Sequence, residues 1–259
     1  MKRAIFLMIV FLLLPRLTLG QSVTVNSVTG NSVTGNSVAG NVVQHQASSP
    51  AYLTLISAEG QERLRKASHN ADYIPLSASF TTQITQTLCS IASAVTVLNA
   101  LQIARPIDPT YYPYHYFTQN NFFTENVLKI RNYASVLANG LTLDLAAQAI
   151  ETHGAKARPV HAEDITIENF RSALKDNLSR GGDYIIANYQ RQLIGQPKGA
   201  HFAPLGAYDE ASDTVLIFDV ARYKFPPVWV KTADLYAAML TQDSEAPRSR
   251  GFIQVFAAK

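Results

Sequence analysis

Apolar and polar positions along the chain fall into three regimes. Residues 4–14 are an unbroken apolar run behind Lys2 and Arg3, followed by Pro15 and Arg16. The run is shorter than the ~20 residues a bilayer-spanning helix needs. With the small residues Thr18 and Gly20 ahead of Gln21, residues 1–20 read as a cleavable secretory signal. Residues 26–40 then repeat a five-residue Asn-Ser-Val-Thr/Ala-Gly unit with one valine per unit, too little to bury a core. Residues 21–47 therefore read as a flexible linker, and residues 48–259 as one folded domain.

Within that domain the periodicity changes partway. It predicts helices over 54–67, with Leu55, Ala58 and Leu64 apolar, and over 89–101, with Ile91, Val95, Leu98 and Leu101 on one face. Thr142 and Asp144 open a third helix that Gly154 stops. A fourth over 165–180 ends at Gly181-Gly182. Beyond it come short segments rich in β-branched and aromatic residues, 183–189, 202–208, 214–220 and 251–257, which predict strands. Residues 210–213 have turn chemistry, so 202–220 reads as a hairpin. Helices first and strands later predict an α+β fold rather than an alternating parallel sheet.

Composition narrows the function classes. Hydrophobic residues make up 47% and charged residues 16% of the 259, with twelve Tyr and twelve Phe, which excludes a disordered or fibrous chain. The formal charge is +3, but residues 1–20 hold Lys2, Arg3, Arg16 and no acid, so the mature chain is neutral. Neutrality without basic runs excludes an electrostatic case for nucleic-acid binding, and the mature form is expected to have no membrane segment. One cysteine excludes an internal disulfide and a cysteine-based metal cluster.

That cysteine, Cys89, stands at the start of the strongest helix, behind the polar stretch 81–87. A thiol at a helix N-terminus meets the positive end of the macrodipole, which lowers its pKa. A buried structural cysteine is the alternative at this point. A nucleophilic thiol needs a base, and the base needs an orienting group. His45 lies in the linker, and His69, His115, His153 and His161 fall in polar or aromatic contexts without an evident partner. His201 leads directly into an apolar strand, and Asp219 closes the next one. In the predicted hairpin they share one end of adjacent strands, an arrangement like that of cysteine proteases. Gln83, six residues before Cys89, is a candidate donor to an oxyanion, with Gln86 of the same stretch as the alternative.

At these residues the sequence resembles phytochelatin synthase in its short bacterial and cyanobacterial form. The resemblance rests on 80–101 (FTTQITQTLCSIASAVTVLNAL), 114–123 (YHYFTQNNFF), 199–208 (GAHFAPLGAY) and 218–230 (FDVARYKFPPVWV), and covers most of 52–259. It implies a papain-like fold, a helical half bearing Cys89 and an antiparallel-sheet half bearing His201 and Asp219. By position Cys89 resembles the nucleophile, His201 the general base and acid, Asp219 its orienter and Gln83 the oxyanion donor. Arg222 and Arg191 match basic positions, implying contacts to substrate carboxylates. The implied reaction is attack of Cys89 on the Cys–Gly bond of glutathione. The resulting γ-glutamylcysteinyl thioester passes to water or to a second glutathione. No tightly bound cofactor is implied; heavy-metal ions such as cadmium enter as glutathione thiolates. The short forms further imply a homodimer and a bias to hydrolysis, and the signal implies a periplasmic or secreted protein. The chain departs from the family's usual Tyr-Cys-Gly in having Leu88-Cys89-Ser90. Two rival readings stand beside this one: a papain-like peptidase or amidase on other substrates, and a non-catalytic glutathione or metal-thiolate binding protein.

Overall fold

An antiparallel sheet and the helices on its two faces account for both regimes of the folded sequence. The structure, a computed structural model, describes residues 51–258; the expected signal (1–20) and repeat linker (21–47) lie outside the described residues. The strands are β1 (Tyr52–Thr54), β2 (Ala155–His161), β3 (Asp183–Gln190), β4 (Ala200–Asp209), β5 (Thr214–Ile217), β6 (Val228–Lys231) and β7 (Gly251–Ala257). They pair in the order β1-β6-β5-β4-β3-β7-β2, every neighbour antiparallel. The helices are α1 (Ala58–Lys66), α2 (Tyr73–Ser79), α3 (Cys89–Ala100), α4 (Glu125–Ile130), α5 (Tyr133–Asn139), α6 (Leu143–Glu151), α7 (Ile167–Leu178) and α8 (Thr232–Met239). The α+β class holds.

Successive strand residues alternate between two cores. Tyr184, Ile186, Phe202, Trp229 and Ile253 face α3 and α6. Ile185, Ala187, Tyr189, Val230 and Phe252 face α7 and α8. Covered on both sides, β3 and β4 read as continuous apolar runs rather than alternating ones. The same logic buries α3 all round: eleven of its twelve residues are buried, with Ser93, Thr96 and Asn99 satisfied by backbone hydrogen bonds.

Most predicted elements occur with tighter bounds. Thr142 and Thr166 cap α6 and α7 with their hydroxyls, the latter in a full capping box. The helix expected from residue 54 starts at Ala58, because Tyr52–Thr54 pairs with β6 and Ser57 caps α1. The hairpin forms, but β5 stops at Ile217 rather than 220. Its register shifts between Leu205 and Ala207, and a Cβ on Gly206 would lie 2.1 Å from the Phe218 ring. The ring occupies the space that glycine leaves, and the chain turns away from the sheet just before Asp219.

Asp72, at the start of α2, has no exposed surface, and neither carboxylate oxygen has a hydrogen-bond partner. Burial, reinforced by Asp183 and opposed by Arg180, pushes its pKa up to about 8. The unfolded carboxyl ionises near 3.8. Between these pH values folding must take up a proton, so the cost of Asp72 grows as pH rises through this window and is complete above it. Asp72→Asn is expected to raise the thermal midpoint clearly at pH 8.5 and to leave it nearly unchanged at pH 4. Melting curves across this range check the trend.

Candidate active site

The site is assembled where α3 abuts the ends of β3, β4 and β5. Asp219 has no exposed surface, so its charge must be neutralised inside the protein. Arg191, immediately after β3, grips it with Nη1 at 2.5 Å from Oδ2 and Nη2 at 2.9 Å from Oδ1. The Ala221 N–H donates to Oδ1 at 2.8 Å, and His201 Nε2 donates to the same oxygen at 2.9 Å. A carboxylate so bound can only accept, so Nε2 carries the proton and Nδ1 is left for the thiol. Tyr189 packs edge-on against the imidazole, centroids 5.8 Å apart, and fixes its plane.

Cys89 is the first residue of α3, and Leu88 before it supplies no side-chain cap. The first-turn N–H groups of the helix are thus left without helical partners. Ser93, one turn on, donates to the Phe202 carbonyl at 3.1 Å and pins α3 to β4 beside His201. Burial alone would raise the Cys89 thiol, but the hydrogen bond and charge of His201 prevail, helped by the Phe202 backbone and Arg191, and hold it below its ordinary value. Burial alone would lower His201, but Asp219 and Cys89 together hold it above its ordinary value. Asp219 itself stays well below the carboxylate range: burial opposes this, and His201 and Arg191 overcome it. All three shifts favour a thiolate–imidazolium pair. Such a pair can attack a carbonyl and hold the acyl group as a thioester.

Cys89 and His201 open into a cavity of about 130 Å³ that also exposes Asn188, Asp243, Ser244 and Arg250. Arg250 is 4% exposed; its Nη1 bonds the Thr241 and Gln242 carbonyls, and its Nε is buried without a partner. Asp243 lies 3.9 Å from its Nη2. Asn188 Oδ1 is likewise buried and unpartnered.

The expected residues are thus only partly brought together. Cys89, His201 and Asp219 meet as the hairpin reading requires. Arg191, expected at a substrate carboxylate, is instead the counter-ion of Asp219, with Gln196 on the same guanidinium, because a buried carboxylate claims it first. Arg222 is exposed and stacks on the Phe80 ring at 5.0 Å, outside the thiol cavity. Gln83 donates its backbone N–H to Val220, and its amide N–H groups go to Thr85 O (2.9 Å) and Tyr223 Oη (3.0 Å). Gln86, not Gln83, lines the cavity, with its Oε1 held by Lys224. Other histidines do have partners: His161 bonds Ser249 O at 2.6 Å and Asp144 at 3.1 Å, and His69 bonds Ser179 at 2.6 Å. Asn188, Tyr189 and Arg250 were not foreseen. The only signal was polar character inside otherwise apolar strands, and in Arg250 a cation directly before β7.

The fold and this buried Cys–His–Asp set define a class: an α+β protein with an activated thiol at a helix–sheet seam. The sequence profile of the family described as phytochelatin synthase matches residues 43–252. Glutathione gamma-glutamylcysteinyltransferase 1 of Triticum aestivum is 32% identical over 211 residues, 80% of this chain and 41% of that protein. Glutathione gamma-glutamylcysteinyltransferase 2 of Arabidopsis thaliana is 30% identical over 210 residues, 80% and 45% respectively. The glutathione gamma-glutamylcysteinyltransferase of Schizosaccharomyces pombe is 23% identical over 183 residues, 70% and 42%. The chain belongs to the phytochelatin synthase family, and it spans less than half the length of these relatives.

Removing the imidazole leaves burial at the thiol opposed only by the weaker pull of the Phe202 backbone and Arg191. His201→Ala is therefore expected to raise the pH midpoint for alkylation of Cys89 by iodoacetamide by at least ~1 unit. Cys89 is the chain's single cysteine, so the label reports it alone.

Proposed function

We propose that the chain is a cysteine-dependent acyltransferase acting on glutathione, with a papain-like division into a helical half bearing the thiol and a sheet half bearing base and acid. The observation that carries this reading is the Cys89–His201–Asp219 line, whose thiol faces a partly open cavity lined by a buried arginine beside an aspartate. The γ-glutamyl end of glutathione bears one carboxylate and one ammonium group. Arg250 and Asp243 offer the complementary charges in the cavity that the thiol also lines.

In the proposed reaction the Cys89 thiolate adds to the carbonyl of the Cys–Gly bond. The oxyanion is met by first-turn N–H groups of α3 and by the Gln83 amide, which exchanges its neutral Tyr223 partner for the stronger charged acceptor. The C–N bond breaks as His201 gives its proton to the departing glycine, and Asp219 keeps the imidazole aligned. The thioester then passes to water or to the α-amine of a second glutathione, His201 now taking the proton. Arg222, exposed beside the Asp219 turn, is assigned to the glycyl carboxylate. Metal ions enter as thiolates of the substrate, and the reaction takes place after export.

The test is glycine release from glutathione, with and without cadmium. Cys89→Ala is expected to abolish it. Gln83→Ala is expected to lower kcat about 10²–10³-fold, and Gln86→Ala by less than about tenfold. The reverse order would move the oxyanion role to Gln86. Glycine release retained by Cys89→Ala would overturn the reading.

A further inference from the structure

The thiol cavity is closed on one side by residues 241–249, which run from α8 to β7. The base of this loop is fixed by the Gln242–Ser249 bridge, by Arg250 on the Thr241 and Gln242 carbonyls, and by Arg248 on Glu163. Its tip reaches the helical half through Glu245. Arg131, at the end of α4, donates to Glu245 Oε2 at 2.8 Å, and Asn139, at the end of α5, lies 3.5 Å from the same oxygen. The pair is half sheltered, 15% exposed on Arg131 and 36% on Glu245.

The loop is also a partition. Beside it lies a broad, solvent-open depression of about 730 Å³ lined by Gln190, Lys198, Glu245 and Pro247 among others. Ala200, Asp243, Ser244 and Arg250 line both it and the 130 Å³ cavity of the thiol. Small-molecule sites usually span ~300–1,000 Å³, so the inner cavity is tight for one short acyl chain, while the open outer depression has room for a second. The loop stands between them.

We propose that the Arg131–Glu245 ion pair is a length gauge: it holds the 241–249 loop against the helical half and restricts the acyl donor to a single γ-glutamylcysteinyl unit. The inference rests on the reaction proposed above and adds its specificity. With the tie cut, the loop tip swings away, the two cavities merge, and a doubled acyl chain fits with its outer carboxylate near Lys198. The chemistry is unchanged in either case: the Cys89 sulfur replaces the glycine nitrogen at the carbonyl, and glycine leaves with the proton from His201.

The experiment compares glycine release from glutathione and from (γ-Glu-Cys)₂-Gly, each as sole donor, by the wild type, Glu245→Ala, Arg131→Ala and the charge swap Arg131→Glu/Glu245→Arg. The wild type should favour glutathione by about tenfold or more in kcat/KM. Each single variant should raise kcat/KM for the longer donor about tenfold and leave that for glutathione within about threefold. The swap should restore the preference, an outcome that a merely destabilised loop does not give. Equal use of the two donors by the wild type, or an unchanged ratio in both single variants, overturns the gauge alone. No glycine from either donor overturns the underlying reaction instead.

Discussion

One buried carboxylate organises this molecule. Asp219 has no access to solvent, and its charge is held by a guanidinium from the end of β3, an imidazole from the start of β4 and an amide two residues downstream. A buried ion pair is tolerable only when its geometry is good and its spare hydrogen-bonding capacity is used, and removing one partner typically costs ~3–5 kcal/mol. Three separate segments must therefore arrive together for the domain to be stable. The same requirement that offsets burial leaves the imidazole with one nitrogen turned towards Cys89. Structure and chemistry share a single set of bonds.

The second constraint is the seam between helices and sheet. The chain after Asp219 and the chain before Cys89 are laced in order: Val220 O accepts from Gln83 N, Tyr223 Oη meets the Gln83 amide, Lys224 holds Gln86, and Arg222 lies over Phe80. Ser93 on α3 closes the lacing against β4. The thiol is thus placed by contacts from both sides of the acid, not by the helix alone. Because α3 is buried all round, it cannot slide without opening the larger core.

Much of this was legible in the chain, for physical reasons that differ by residue. A lone cysteine behind a polar stretch and ahead of an apolar helix marks a helix start. A histidine and an aspartate at the ends of consecutive apolar strands mark one edge of a hairpin. Long-range charge pairing was not legible: nothing local to Arg191 says that Asp219, twenty-eight residues on, will claim it. Arg250 and Asn188 were hidden the same way, inside or beside strands whose apolar neighbours carry the pattern. The missed elements are short or ambiguous. Strand β2 is a sheet edge with Lys156 and Arg158 exposed and Pro159 in its run. Helices α4 and α5 have six and seven residues, under two turns each, too few for a helical period to show.

The most direct test of the account is the intact mass of the protein, rapidly quenched after mixing with glutathione. A thioester mechanism on Cys89 yields one adduct per chain equal in mass to glutathione less glycine, located on Cys89, formed together with one equivalent of glycine and absent from Cys89→Ala. Glycine release with no adduct at any quench time, or an adduct that survives in Cys89→Ala, would contradict it.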